Sequence, residues 1–286
     1  MRIRFETSLN RYKQKVEPLL LKKEACNNLM LGIMNRLEQD DSVKHSNACL
    51  GLVELNDKPV YAFMQTPPNN WILADVDNTG DDAIRQIARF VHEKAENIPG
   101  VIGPPDKANI MIKELEHLRG STSAVHMKQL IYQLDRVNAI SYAGGNLTEA
   151  TPNDHQLMKN WLMQFGEQAN EPMSAERAGH VAEVFIEKRS LYLWKVDDNA
   201  VSMVNQSRQT KNGTTINAVF TPDEHKGKGY ATAAVAKLSE RLLQEGFQFC
   251  CLFTDAANPT SNNIYKKIGY YEVGTSVVYK LADNKR

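Results

Sequence analysis

The chain has no surplus charge of either sign: 34 Lys and Arg stand against 34 Asp and Glu in 286 residues. A balanced chain has no bulk attraction to nucleic acid or to an anionic membrane, and neither is expected as a partner. No apolar run approaches the ~20 residues of a membrane span, and Met1-Arg2-Ile3-Arg4-Phe5-Glu6 has no apolar signal core. A cytoplasmic protein is the expectation. Cysteine is scarce as well. Four cysteines make no disulfide framework in a chain of this length, and Cys250 and Cys251 fall within a buried-strand pattern, which reads as packing. The seven histidines show no ligand spacing, so no metal is expected. At about 150 residues per domain the length suggests two domains.

What is present is concentrated in one stretch, Val219-Phe220-Thr221-Pro222-Asp223-Glu224-His225-Lys226-Gly227-Lys228-Gly229-Tyr230-Ala231-Thr232. An apolar strand runs into a small basic Gly loop and then a helix. Two glycines let backbone approach a ligand, and a helix N-terminus presents free N–H groups and a positive dipole end, which together suit a phosphate or pyrophosphate. Ala231, Ala234, Val235, Leu238 and Leu242 form the apolar stripe of that helix, and Gly246 ends it. The loop is not a Walker loop, because Lys228 is followed by Gly229 and not by the Ser or Thr that would hold Mg²⁺. Nor is it a dinucleotide fingerprint. Thr232 stands where a third small residue belongs, and Glu245 lies at a helix end and not after a strand.

A second motif follows at a fixed remove. The apolar strand Phe247–Thr254 leads into Asp255-Ala256-Ala257-Asn258-Pro259-Thr260-Ser261-Asn262-Asn263-Ile264-Tyr265-Lys266-Lys267-Ile268-Gly269-Tyr270. The two motifs together resemble the GNAT superfamily of acyl-CoA-dependent N-acetyltransferases. The loop matches at Gly227, Gly229 and Ala231, the second motif at Asn258, Asn262, Tyr265, Gly269 and Tyr270, and element order agrees over 145–281. The resemblance implies acetyl-CoA as acyl donor, with Lys226–Thr232 around its pyrophosphate and Asn258, Asn262 and Tyr265 along its pantetheine arm. It further implies that backbone on Val219, Phe220 and Thr221 meets the pantetheine and the thioester carbonyl, and that Tyr265 is the general acid for the departing thiolate. One position departs from the family pattern: Glu224 stands where Gln or Arg is usual, so the cation must come from His225, Lys226 or Lys228.

The first half has a matching order of elements. Helices are predicted over Asn10–Lys22 and Glu24–Glu38, a hairpin turning at Asn56-Asp57, a strand at Trp71–Asp75, and a helix opened by Gly80 with Ile84, Ile87, Ala88 and Val91 on one face. A strand at Val101-Ile102, a helix over Lys107–Leu118 and a long strand over Met127–Val137 complete it. In the second half, helices near Asn153–Phe165 and Ala175–Lys188 precede a hairpin turning at Asp197-Asp198-Asn199 and a strand at Asn217–Thr221. Landmarks recur at near-constant offsets: Asp57 to Asp198 is 141 residues, Gly80 to Gly229 is 149, and Ile102 to Leu252 is 150. The expected fold is α/β (α+β), two GNAT-like domains, each a mixed, centrally splayed sheet flanked by helices. Their expected ranges are 1–138 and 139–286, joined near Ala139–Asn146 where Gly144-Gly145 breaks the pattern. The first has lost its coenzyme site by this reading. Its loop, Asp77-Asn78-Thr79-Gly80-Asp81-Asp82, would repel a pyrophosphate, its carboxylates capping the helix instead, and Asn109 is not followed by a Tyr.

The resulting expectation is transfer of acetyl to a primary amine of a small molecule or peptide by direct attack in a ternary complex. The alternative is a module that binds acyl-CoA without turnover. Glu183, Glu187 and Asp255 are candidates for the general base by position only. Tyr192, Trp194, Phe220 and Trp161 are candidates either for an acceptor pocket or for core. A tandem chain could act as a monomer or pair its edge strands into a homodimer.

Overall fold

Residues 1–134 form β1 (Arg2–Phe5), α1 (Leu9–Leu20), α2 (Asn28–Gln39), β2 (Cys49–Leu55), β3 (Lys58–Gln65), β4 (Trp71–Leu73), α3 (Asp81–Lys94), β5 (Gly100–Gly103), α4 (Pro105–Arg119) and β6 (Thr122–Leu134). The same order recurs as β7 (Asn146–Glu149), α5 (His155–Gln168), α6 (Ala175–Glu187), β8 (Leu191–Val196), β9 (Asn199–Gln209), β10 (Gly213–Phe220), α7 (Tyr230–Gln244), β11 (Phe249–Asp255), α8 (Pro259–Ile268) and β12 (Tyr271–Ala282). The structure, a computed structural model, describes residues 1–39, 47–95 and 97–282; residues 40–46, 96 and 283–286 of the two expected domains lie outside it.

Local chemistry sets these elements. Asn56 and Asp57 have φ of 51° and 60°, and Asp197 and Asp198 have 46° and 62°, so both hairpins turn through two left-handed residues. Short polar side chains tolerate that geometry, and its twist matches the strands it joins. In α3 the predicted face is the buried one, Ile84, Ile87, Ala88 and Val91. Ser8 caps α1 and Ser174 caps α6, each accepting from a backbone N–H three residues on. Two strands escape the sequence reading, β1 and β7. Each is four residues long with none fully buried, too short for alternation to register.

Among the described residues the twelve strands join one sheet in the order β1-β2-β3-β4-β5-β12-β6-β11-β10-β9-β8-β7. The order is nearly a palindrome of the two halves, with β4 parallel to β5 and β10 parallel to β11. At the centre the final strands are exchanged: β12 pairs with β5, β6 pairs with β11, and β6 and β12 pair with each other. The α2 end of the first half also packs on the second. The Glu24 carboxylate accepts from the backbone and side-chain nitrogens of Asn212, both at 2.7 Å. Arg208 crosses Gly32 so closely that a Cβ there would lie 2.6 Å from its stem. In the second half, Tyr192 and Trp194 are buried with α7 on one face of the sheet, while Leu191, Leu193, Trp161 and Phe220 are buried with α5 and α6 on the other.

Candidate active site

The site begins with a defect in β10. This strand pairs with β11 only over Gly213–Thr215, although β11 goes on pairing with β6 as far as Asp255. The two strands part because β10 bulges: Ala218 has φ 47°, and the register against β9 slips between Asn217 and Phe220. Beyond Thr215 the β11-facing edge of β10 has no strand partner among the described residues, so its backbone groups line a gap in the sheet. Val219 is half-buried at this bulge. The ring of Phe220 packs in the core, 6.0 Å from Trp161, and the Thr221 hydroxyl lies 2.9 Å from that of Ser202. Phe220, Trp161, Tyr192 and Trp194 are buried, the core placement of the two that spacing left open for these aromatics.

The loop after β10 is open where a ligand backbone would need it. Gly227 and Gly229 have φ of 77° and 81°, and a Cβ at Gly227 would meet nothing within 4 Å. No side chain caps α7 at Gly229, which leaves the first N–H groups of the helix, from Tyr230, Ala231 and Thr232, pointing out of its end. The cations are partly committed. Lys226 Nζ sits 2.6 Å from Asp223 and 3.3 Å from Gln168 Oε1, and Lys228 donates to the Glu224 carbonyl at 3.2 Å. Lys226 in turn holds the Asp223 carboxyl below its ordinary value. The side chain of Glu224 is exposed and turned to solvent, and the ring of His225 stands 6.4 Å from that of Tyr230.

Across the gap, α8 starts at Asn258, whose Oδ1 accepts from Ser261 N at 3.0 Å, leaving its amide nitrogen for other partners. Asn262 is buried. Its Nδ2 donates to Asp255 O at 3.2 Å while its Oδ1, also buried, has no hydrogen-bond partner among the described residues. Tyr265 stands 8% exposed between Tyr132 and Tyr270, at ring distances of 6.2 and 5.9 Å. Burial pushes its phenol up to about 12, so it carries its proton throughout the neutral range. Tyr132 comes from β6, the strand exchanged from the first half, and its buried hydroxyl is likewise unpartnered. Sequence reasoning missed Tyr132, and no local signal marks it; only the strand order brings it to α8. Unpartnered buried oxygens on two elements beside an unpaired strand edge fit a ligand rich in amides.

Other expected groups are placed differently. Glu183 lies on the exposed side of α6, 3.8 Å from His180, and Glu187 is exposed at its end. Asp255 Oδ1 accepts from Ala257 N at 2.9 Å in the turn before α8. At the far side of the gap, His126 Nε2 of β6 is 2.6 Å from Glu171 Oε1 in the α5–α6 loop. Cys250 and Cys251 are buried in β11, and desolvation pushes their thiols up to about 12 and about 11, as packing residues require. Among the described residues no group of three His, Cys, Asp or Glu could hold a metal ion, and no helix is long and apolar enough to cross a membrane.

In the first half the corresponding gap is filled from within. β4 leaves β5 after Ile72, and the side chain of Asn27 enters there. Its Oδ1 accepts from Asp75 N at 2.8 Å and its Nδ2 donates to Asp75 O at 3.0 Å and to Leu20 O at 3.1 Å. The space left over is about 20 Å³, room for about one water. The loop before α3 is tied down by Lys23, which meets Asp75 and Asp77 at 2.8 and 2.6 Å, and by Lys107 Nζ on Thr79 O at 2.6 Å. The expected capping by carboxylates is corrected: the N-cap position of α3 is Gly80, which has no side chain to cap with, while Asp77 pairs with Lys23 and Asp82 accepts from Gln86 at 2.6 Å. Asp81 and Asp82 still face the helix dipole from its first turn.

A family model described as FR47-like protein matches residues 196–278, the span from the end of β8 to β12. A Drosophila protein of known structure superposes with a TM-score of 0.68 at 13% identity, covering 99% of each chain. A GCN5-related N-acetyltransferase from Sphaerobacter thermophilus gives 0.63 at 11% identity, over 97% of this chain and 94% of that one. A tandem GNAT protein from the clavulanic acid biosynthesis pathway gives 0.56 at 12%, over 100% of this chain and 99% of that one. No curated protein matches the chain. At these identities the likeness is one of fold: the chain has the mixed α/β fold of GNAT acetyltransferases, built on one large mixed sheet.

Proposed function

We propose that the gap between β10 and β11 is the acyl-transfer site of an acetyl-CoA-dependent N-acetyltransferase. The observation that carries this is a convergence at one end of β10. An unpaired strand edge, an open Gly loop with an uncapped helix start, and a buried tyrosine with its proton all meet there. Acetyl-CoA supplies an activated acetyl thioester. Of the chain's own groups, the N–H donors of Gly227–Thr232 would hold the pyrophosphate, with Lys228 the less committed of the two loop lysines. The free edge of Val219–Thr221 would pair with the pantetheine amides as a neighbouring strand would, and Asn258 Nδ2 and the unpartnered Asn262 Oδ1 supply a donor and an acceptor across the gap. A backbone N–H near Val219 is the donor toward the developing oxyanion. Tyr265 gives its proton to the leaving sulfur.

The acceptor is read as a primary amine of a small molecule or peptide, attacking directly in a ternary complex. The chain is read as two units, 1–138 and 139–286, of which only the second binds the coenzyme. Asn27 already occupies the first gap, and carboxylates surround the first loop. Titration calorimetry with acetyl-CoA tests the reading. One site per chain is expected, weakened more than tenfold by Gly227→Asp, which puts bulk and charge into the open loop. Two sites would overturn the reading of the first unit, and none would overturn the whole. A module that binds the coenzyme without turnover is the second reading, favoured by Glu224 at the position where the family pattern has Gln or Arg. Thiol release from acetyl-CoA in the presence of amines separates it from the first.

A further inference from the structure

The proposed chemistry needs a group to take a proton from the acceptor, and none of the three carboxylates expected by position stands free for it as placed. Glu183 and Glu187 are on the exposed side of α6, and Asp255 is engaged in its own turn. His126 is placed otherwise. In the pairing of β6 with β12, Val278 faces Met127 and the next residue, Tyr279, faces Val125, so His126 is the extra residue of a β-bulge. A bulge re-aims a side chain, and here the even-numbered Leu130, Tyr132 and Leu134 face α7 and α8 while His126 meets Glu171 on the α5–α6 side.

The α5–α6 loop fixes where that meeting point lies. Its first end, Gln168, holds Lys226 of the Gly loop at 3.3 Å, and Glu171, three residues on, holds His126 at 2.6 Å. In the sheet β11 lies between β10 and β6, and it ends at Asp255, opposite Gln129. The loop therefore passes over the end of β11, from the Gly loop to β6, across the mouth of the gap. His126 is less exposed than its partner, with 18% of its side chain accessible against 61% for Glu171. By register the nearest other charges are Lys128 on β6, Asp255 on β11 and Lys280 opposite Ala124 on β12; Asp223 and Lys226 stand at the loop's far end.

We propose that His126 is the proton acceptor for the incoming amine and that Glu171 positions it, a dyad assembled across the exchanged strand. This rests on reading the gap as an acetyl-transfer site. With Nε2–H donated to Glu171, the other ring nitrogen, Nδ1, is the base. It takes one proton from the ammonium form of the acceptor. The freed lone pair then forms the N–C bond to the thioester carbonyl as the C–S bond breaks. Tyr265 protonates the sulfur, the second amine proton returns to the tyrosine through solvent, and imidazolium releases its proton to water. Nothing is oxidised or reduced.

Two acceptors of different basicity test this on the full chain. Ethylamine is almost wholly protonated at pH 7 and needs a base, whereas hydroxylamine is largely neutral and does not. His126→Gln is expected to lower the ethylamine rate by roughly 10²-fold and the hydroxylamine rate by no more than a few-fold. Glu171→Gln, a change at an exposed loop position, is expected to show the same split with smaller amplitude. Calorimetry with acetyl-CoA should be unchanged in both variants. A low-field imidazole proton of His126 in the wild-type NMR spectrum should vanish in both. Equal losses with the two amines, or none, would overturn the dyad, as would a wild type that binds acetyl-CoA and acetylates neither amine. A wild type that does not bind acetyl-CoA would instead overturn the reading of the gap.

Discussion

The side chain of Asn27 is hydrogen-bonded to both backbone groups of Asp75, accepting from its N–H at 2.8 Å and donating to its carbonyl at 3.0 Å. A side-chain amide thus completes a strand edge that has no strand beside it. Asn27 is 3% exposed, so removing it strands partners that water reaches poorly. Asn27→Ala is expected to destabilise the fold by about 2–4 kcal/mol, read as a lower urea midpoint at unchanged slope. A loss below about 0.5 kcal/mol would mean that water replaces the amide there.

Tyr265→Phe removes the phenolic proton and keeps the ring between Tyr132 and Tyr270. Acetyl-CoA affinity should hold within a few-fold while kcat falls by roughly 10²-fold. Undiminished kcat would sink the acid role and leave Tyr265 a packing residue.

The same phenol makes a statement about alkaline stability. Burial raises it from 10.0 to about 12. A group with a folded value above its unfolded one gives its full contribution below the unfolded value and loses it as pH rises through the folded one. Tyr265 therefore withdraws up to ~3 kcal/mol as pH climbs from 10 to 12, and Tyr61 and Tyr270, also raised by burial, act in the same direction. Urea titrations between pH 8 and 11 should show stability flat at first and then falling, with a shallower fall in Tyr265→Phe.

At the acid end the sheet edge responds. Glu54, 5% exposed on β2, bonds Lys15 at 2.7 Å and Arg4 of β1 at 3.1 Å. Lys15 and then Arg4 hold its carboxyl below the ordinary value of 4.5. For a lowered carboxyl the contribution is complete above the unfolded value and is lost as pH falls through the folded one. Glu54→Gln should cost about 1–3 kcal/mol at pH 7 and flatten the loss of stability below pH 4.5. Parallel acid curves for the variant and wild type would show that the pair contributes nothing measurable.

The sequence made some of this legible because the cause was local. The stripe of α3, the turns at Asn56-Asp57 and Asp197-Asp198 and the Gly loop all depend on residues a few positions apart. What it hid depends on distant partners. Tyr132 is an ordinary residue of an alternating strand until β6 is seated against β11, more than a hundred residues on. His126 reads as one scattered histidine among seven, and only the slip against β12 turns it toward Glu171. The aromatics at 192, 194 and 220 admit a pocket or core by spacing, with core the commoner outcome for alternating aromatics, and they are buried on the two sheet faces.

The exchange of β6 and β12 also sets a timetable for synthesis. β5 receives its central neighbour only when Tyr271–Ala282 has emerged, about 150 residues after β6. At ribosomal rates this leaves a hydrogen-bonding edge unmatched on the nascent chain for roughly 7–30 s. The first half must wait for β12 to be made before that edge is matched.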